Sequence, residues 1–296
     1  MKRLAPILVF IAVLPFLAIG QQEKKRTSNG KKSYVLTDVS FVSDAVFMGR
    51  KDSIAAPYLL PSIGYYDASG LYADASLSYL TRSEEKRVDL FLLTAGYRFE
   101  SKKLEGYFSA TKYFYNDESY NVQSGISADI TGSLGYDFKV FQIAALGSTY
   151  FTEEGESDFI LGGSLARLFK GMDGNLHITP SFSFYAGSQN FYQEYYQSSR
   201  LGNRKGKGQG GSDVTTTEIF VEEAKSFSLL NLGIGVSMDL YHKNFIFSLA
   251  PVVAFPQSPS TITTIDATFE EDLETTFYAT VGISYWFYTS KTTSNP

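Results

Sequence analysis

From about residue 37 onward, apolar and polar residues alternate in one segment after another, and tight turns and longer polar loops take turns in joining the segments. The clearest segment is 226–241. There Leu230, Leu232, Ile234, Val236, Met238 and Leu240 alternate with Asn231, Gly233, Gly235, Ser237, Asp239 and Tyr241. A period of two sends the two sets to opposite faces of a strand. Segment 244–255 repeats the pattern, with Phe245, Phe247, Leu249, Pro251, Val253 and Phe255 opposite Ser248 and Ala250. Segment 175–187 places Leu176, Ile178, Pro180, Phe182 and Phe184 opposite His177, Thr179, Ser181 and Ser183. About twelve strands are predicted, near 37–49, 57–67, 70–81, 87–100, 104–115, 121–137, 140–151, 158–170, 175–187, 226–241, 244–255 and 275–287. Pro180 and Pro251 donate no ladder hydrogen bond, so a bulge or a broken pair is expected at each. The facing of 104–115 and 158–170 is ambiguous.

Alternation alone also suits a soluble barrel or sandwich. Two features decide against these. The polar face carries mainly Gly, Ser, Ala and Thr rather than Lys, Glu and Gln, so it reads as enclosed, and the charges fall mostly in loops. Every other connection is long: 50–56, 82–86, 116–120, 152–157, 188–225 and 256–274, against short turns at 67–70, 100–104, 137–140, 170–175 and 241–244. The expectation is an all-β fold, a transmembrane antiparallel up-and-down β-barrel.

The last strand, with Phe277, Ala279, Val281, Ile283, Tyr285 and Phe287 on one face, resembles the terminal signal strand of bacterial outer-membrane β-barrels. The chain departs from that pattern in continuing as a polar tail, 288–296. The resemblance covers the whole chain after the leader and is one of architecture, porin-like, without a specific family. It implies an outer-membrane location with both termini periplasmic, contact with membrane lipid and lipopolysaccharide, and handling by the barrel-assembly machinery. Tyr113-Phe114-Tyr115 and Tyr285-Trp286-Phe287-Tyr288 lie at strand ends, where aromatic girdles sit.

Met1-Lys2-Arg3, the apolar run Leu4 to Ile19 and the small residues before Gln21 read as a secretory leader, residues 1–20. Its removal lowers the basic residues from 26 to 24 against 31 acidic ones and moves the formal charge from −5 to −7. A nucleic-acid partner is therefore not expected. The chain has no cysteine, which excludes a disulfide scaffold and a lipoprotein anchor. Residues 21–36, with Lys24, Lys25, Arg26, Lys31 and Lys32, form a basic periplasmic tail, and the barrel is expected over 37–287.

Alternation aims Asp38, Asp44, Asp74, Arg98, Lys112, Asp129, Asp137, Asp239 and His177 at the lumen. Charges of both signs in a narrow barrel either lock into a plug or line a water path that selects ions. The long loop 188–225 holds Tyr192 and Tyr195 followed by a Gly-rich basic stretch with Arg204, Lys205 and Lys207, a candidate gate or binding surface. Its spacing does not match a phosphate-binding loop. The acidic clusters Glu153, Glu154, Glu156, Asp158 and Glu270, Glu271, Asp272, Glu274 match no calcium-loop spacing and read as solvated loop charges. No metal site or cofactor is assigned.

Only His177 and His242 are available for acid–base work. His242 reads as a turn residue. His177 faces the lumen near the periplasmic end, with Arg167 roughly opposite, and so has the wrong face and end for the lipid-facing Ser, His and Asn of outer-membrane phospholipase A. No catalytic residue is assigned. The expected function is a narrow passive channel for ions or small solutes. The alternatives are a closed structural or surface-interaction barrel and, third, a lipid-modifying enzyme.

Overall fold

The computed structural model describes residues 32–52, 54–82, 85–116, 119, 121–152, 156–195, 220–263 and 267–289. The leader, most of the basic tail, the basic stretch with Arg204, Lys205 and Lys207, Glu153 and Glu154, and 290–296 lie outside them.

The chain runs through β1 (Tyr34–Val42), β2 (Tyr58–Tyr66), β3 (Leu71–Arg82), β4 (Glu85–Ser101), β5 (Leu104–Tyr115), β6 (Ile126–Asp137), β7 (Gln142–Thr152) and β8 (Ser157–Ala166). A short continuation of β8, β9 (Phe169–Gly171), precedes β10 (Leu176–Gly187) and the one α-helix of the described residues, α1 (Asn190–Tyr195). Then come β11 (Phe220–Val221), β12 (Ser228–His242), β13 (Phe245–Pro256), β14 (Thr261–Thr263), β15 (Thr268–Glu270) and β16 (Thr276–Tyr288). Consecutive long strands pair antiparallel, β16 pairs with β1 and β12 with β10, so the sheet closes on itself as a twelve-stranded up-and-down barrel. The small strands β11, β14 and β15 form a separate three-stranded sheet in the loops.

All twelve predicted strands are present, and the facing of the clearest three is as the alternation requires: Ile234, Phe247 and Phe182 are exposed, whereas Ser237, Ser248 and Thr179 are buried. The outer wall is apolar, with Ile63, Leu71, Phe108 and Phe277 each more than half exposed at 54%, 59%, 56% and 65%. Such a continuous apolar surface suits lipid and not water.

Each proline interrupts a ladder. β8 and β9 are separated at 167–168, opposite Pro180. Near Pro251 the β12–β13 ladder skips from Gly235/Val252 to Met238/Leu249, and near Pro61 the β2–β3 ladder skips from Leu59/Tyr79 to Ser62/Ser76, the register being kept in both cases. The missing amide donor accounts for the gaps.

Three boundaries differ from expectation. β1 ends at Val42 rather than 49, because the Asp44 carboxylate accepts the amides of Ala45 (3.0 Å) and Ala56 (2.9 Å), and positive φ at Met48 and Gly49 turns the chain back. β6 begins at Ile126, because turns at 121–125 are held by the Asn121 side chain on the Gln123 amide (3.0 Å). At the other end β1 takes in Tyr34 to Leu36, so the barrel begins before residue 37.

Candidate functional site: the barrel interior

Small inward residues leave a lumen, and the two ends of the barrel fill it differently. At the end carrying the long loops, residues from four connections fold inward over the strands. Phe47 and Met48 from the first loop, Val122, Phe191, Tyr192 and Tyr195 from α1, and Ile262 pack with inward Leu146, Tyr150, Ile160 and Tyr185 in one apolar cluster. Phe47 meets Tyr150 and Phe191 edge-on, with ring centroids 5.6 and 4.9 Å apart.

Polar contacts fix this cap. The Asp158 carboxylate accepts the amides of Asn190 (2.7 Å) and Phe191 (2.8 Å) and the Ser188 hydroxyl (2.7 Å), which seats α1 on β8. Arg50 is buried. Its Nε lies 3.0 Å from Glu271 Oε1, its Nη2 donates to the Ser258 carbonyl at 2.9 Å, and its guanidinium stacks on Tyr192 at 5.2 Å. Tyr192 donates to Glu271 at 2.6 Å, and the Tyr195 hydroxyl donates to Asp52. One ion pair and two tyrosines thus join the first loop, α1 and the loop between β13 and β16.

The turn end is closed by side chains of the strands themselves. Tyr34 stacks on Tyr66 (4.9 Å, 5° between planes) and Tyr66 on Tyr72 (5.6 Å, 13°). Half-buried Arg98 lies over Tyr34 and Tyr66 at 5.5 and 5.1 Å and donates to the Tyr34 hydroxyl at 2.6 Å, a cation–π arrangement. Leu36, Tyr241, Ile246 and Trp286 complete the cluster.

Between the two seals runs a layer of hydroxyls and carboxylates. Asp129 accepts Tyr113 (2.9 Å) and Thr131 (2.7 Å), and Thr131 meets Ser148 at 2.8 Å. Asp38 accepts Ser40 and Ser284 at 2.5 and 2.6 Å. Asp239 accepts Ser248 at 2.7 Å and stands opposite His177 across β10–β12. The hydroxyls of Ser76, Ser78, Thr179 and Ser237 are buried with no partner among the described residues. Buried polar groups of this kind take internal water or an ion as partner. A cavity of about 20 Å³ under Met48, lined by Ser181, Ser183, Asn231 and Tyr278, has room for a single water molecule.

Of the residues expected at the lumen, Asp38, Asp74, Arg98, Asp129, Asp239 and His177 project inward from strands. Lys112 does not. On β5 the inward residues are Ser109, Thr111, Tyr113 and Tyr115, so Lys112 stands on the apolar outer wall between Phe108 and Phe114, its Nζ 5.9 Å from the Phe114 ring. Lys and Thr both fit an ambiguous strand, and it is the tyrosines that choose its phase. Asp44 lies beyond β1 and ties the first loop, with Lys51 at 3.3 Å. Asp137 caps its own turn through the Lys139 amide at 2.6 Å. Across from His177 stand Lys170 and Asp239; Arg167 is at the β8–β9 break, stacked on Phe169.

Tyr192 and Tyr195 belong to the buried cap. Tyr113, Tyr115 and Trp286 are not girdle residues: alternation turns them inward and leaves Phe114, Tyr285 and Phe287 outside. Glu156 pairs with Lys225 at 2.8 Å in solvent, whereas Asp158 and Glu271, read as solvated, are structural. Sequence reasoning missed Arg50 and Asp52. The signal available was Ala45-Val46-Phe47-Met48, four consecutive apolar residues that break the alternation and have to pack against something.

No family model and no curated protein matches the chain. Solved structures that resemble it include the KdgM porin (9% identity, 84% of this chain and 98% of that one, TM-score 0.44) and the NanC porin (8%, 85% and 98%, 0.45). LpxR from Salmonella typhimurium is similar at 11% identity, over 86% and 100% of the two chains, with a TM-score of 0.43. Likeness at this level carries no argument about this chain, whose closed barrel rests on its own strand pairing.

Proposed function

We propose that the chain spans the bacterial outer membrane as a barrel that is shut at rest, turn end and termini toward the periplasm, and that it works through the ordered cap it presents outside. The observation that carries this reading is the filling of both ends of the lumen by packed side chains. The turn-end seal is borne on strands, so it cannot swing aside as a loop can. The apolar outer wall supports contact with membrane lipid, and the cap is the surface available to lipopolysaccharide or another partner.

A second reading, gated passage of a small solute or cation, is favoured by one specific feature. The middle of the lumen is acidic, with Asp38, Asp74, Asp129 and Asp239 against Arg98, which is engaged at the turn end. Carboxylate rings of this kind favour cations. Lipid-directed catalysis has less support, since Ser248, Asp239 and His177 stand together but are buried within the interior and face away from lipid.

Planar-bilayer recording of the refolded barrel separates the readings. The closed barrel gives no steps, from protein shown to be inserted, with or without the Arg50→Ala change that loosens the cap. Steps from Arg50→Ala alone support gating, and steps from the unaltered chain overturn the closed reading.

A further inference from the structure

Two interior carboxylates, two strands apart and in adjacent rows of the inward face, have very different partners. Asp38 on β1 is held by the Ser40 and Ser284 hydroxyls. Asp74 on β3 accepts no hydrogen bond from a described residue, and the charge that acts on it is that of Asp38. Its Oδ2 lies over Gly64, 2.7 Å from where a Cβ would stand. Gly64 is paired with Asp74 on one side and with Leu36 of β1 on the other, so the carboxylate leans across β2 toward the strand that carries Asp38.

The register also sets Asp38, Ser62 and Ser76 in one row across β1, β2 and β3, all on the inward face. Ser76 is 5% exposed, and its hydroxyl has no partner among the described residues. Arg98 is occupied by Tyr34 and Tyr66. Two like charges in a shielded interior repel strongly unless a cation lies between them. The polar groups that the register sets in these neighbouring inward rows are all oxygens, carboxylate and hydroxyl, the donor set of hard cations.

We propose that Asp38 and Asp74, with the hydroxyls of Ser62 and Ser76, hold one hard cation of the Ca²⁺ class inside the barrel, water filling its remaining coordination positions. The absence of a side chain at Gly64 makes the site possible, because a methyl group there would occupy the place of Asp74 Oδ2. The proposal is independent of whether the barrel conducts.

Terbium is the probe, as a stand-in for Ca²⁺ whose emission is sensitised by nearby tyrosine. Tyr66 crowds the same Gly64 position as Asp74 Oδ2, at 2.8 Å, so its ring is beside the site. The whole barrel in detergent is stripped with EGTA and titrated with Tb³⁺, both after folding and during refolding. The expected result is saturable emission through tyrosine, displaced by Ca²⁺. Asp74→Asn, nearly the same shape without the charge, and Gly64→Ala, which leaves both carboxylates intact, each weaken binding by about 10- to 100-fold. The surface variant Glu270→Gln/Asp272→Asn/Glu274→Gln leaves it unchanged. Equal emission from Asp74→Asn and the unaltered chain would mean that terbium binds only elsewhere. No emission from well-folded barrel would mean that the two carboxylates share a proton instead. Either result overturns the proposal.

Discussion

Replacing Arg50 by alanine tests the cap where its energetics are most sharply defined. The Arg50 and Glu271 side chains are 1% and 7% exposed, so their pair belongs with buried ion pairs and not with surface ones. An exposed pair contributes about 0–1 kcal/mol. Removing one partner of a buried pair costs about 3–5 kcal/mol, because the other charge is stranded. Glu271 keeps the Tyr192 hydroxyl (2.6 Å) and the Ser260 amide (3.2 Å) as donors, but no cation. At about 1.4 kcal/mol per factor of ten, even the lower figure raises the opening equilibrium of the cap by about 100-fold. Native-state hydrogen exchange reads this directly at the cap amides of Gln189, Glu222 and Glu271, which bond to Ala224, Thr261 and Ser260. The strand amides, shielded in the ladder, exchange as before. Lys225→Ala, at a pair that is 73% and 54% exposed, is the matched control and leaves the rates nearly unchanged. Arg50→Ala exchange at the control level would refute the view that the cap is latched by this pair.

Three other outcomes follow from the same geometry. Gly96→Ala sets a methyl group 2.5 Å from the Phe108 carbonyl oxygen and 2.7 Å from Tyr72, and costs about 1–3 kcal/mol in denaturant unfolding; Gly132→Ala, whose nearest neighbour is 4.0 Å away, is tolerated. Lys112→Leu, on the lipid-facing wall, leaves vesicle-inserted barrel as stable as before or up to about 1 kcal/mol more so, and a loss larger than that in urea unfolding would place the side chain inside. The Asp67 carboxylate is held well below the usual range by hydrogen bonds from Ser69 first and then from Ser33 and Tyr65. The folded form therefore binds its proton later than the unfolded one, so the turn it ties is at full strength above pH 4 and loosens as acid takes the pH through the lowered value. Amide exchange at Ser69 followed against pH shows this, and Asp67→Asn abolishes the dependence.

The barrel was legible because an apolar outer wall and a polar, enclosed lumen impose opposite chemistry on alternate residues. β12 shows this throughout its length, and the prolines even mark where the ladders break. The plug was not legible, for two physical reasons. Inward tyrosines such as Tyr113 and Tyr115 read like girdle aromatics, because a ring with a hydroxyl suits both a membrane interface and a filled lumen. The cap depends on contacts between residues far apart in the chain: Arg50 with Glu271, Asp52 with Tyr195 and Asp158 with the start of α1. Local patterning shows that Phe47 and Met48 have to be covered, but not by what. Lys112 shows the cost of an ambiguous strand, since a shift of one residue in phase moves a charge from lumen to lipid.

The chain contains no cysteine, so one introduced thiol can be followed without background. Ser237→Cys places it in the middle of the lumen, at a position that is 4% exposed. The decisive measurement is its reaction with a small, membrane-impermeant thiol reagent applied to either side of the vesicle-inserted barrel. A barrel sealed at both ends leaves the thiol unmodified until the protein is denatured, when it reacts fully. Rapid labelling of the folded barrel from either side would show that the lumen is open and contradict the account.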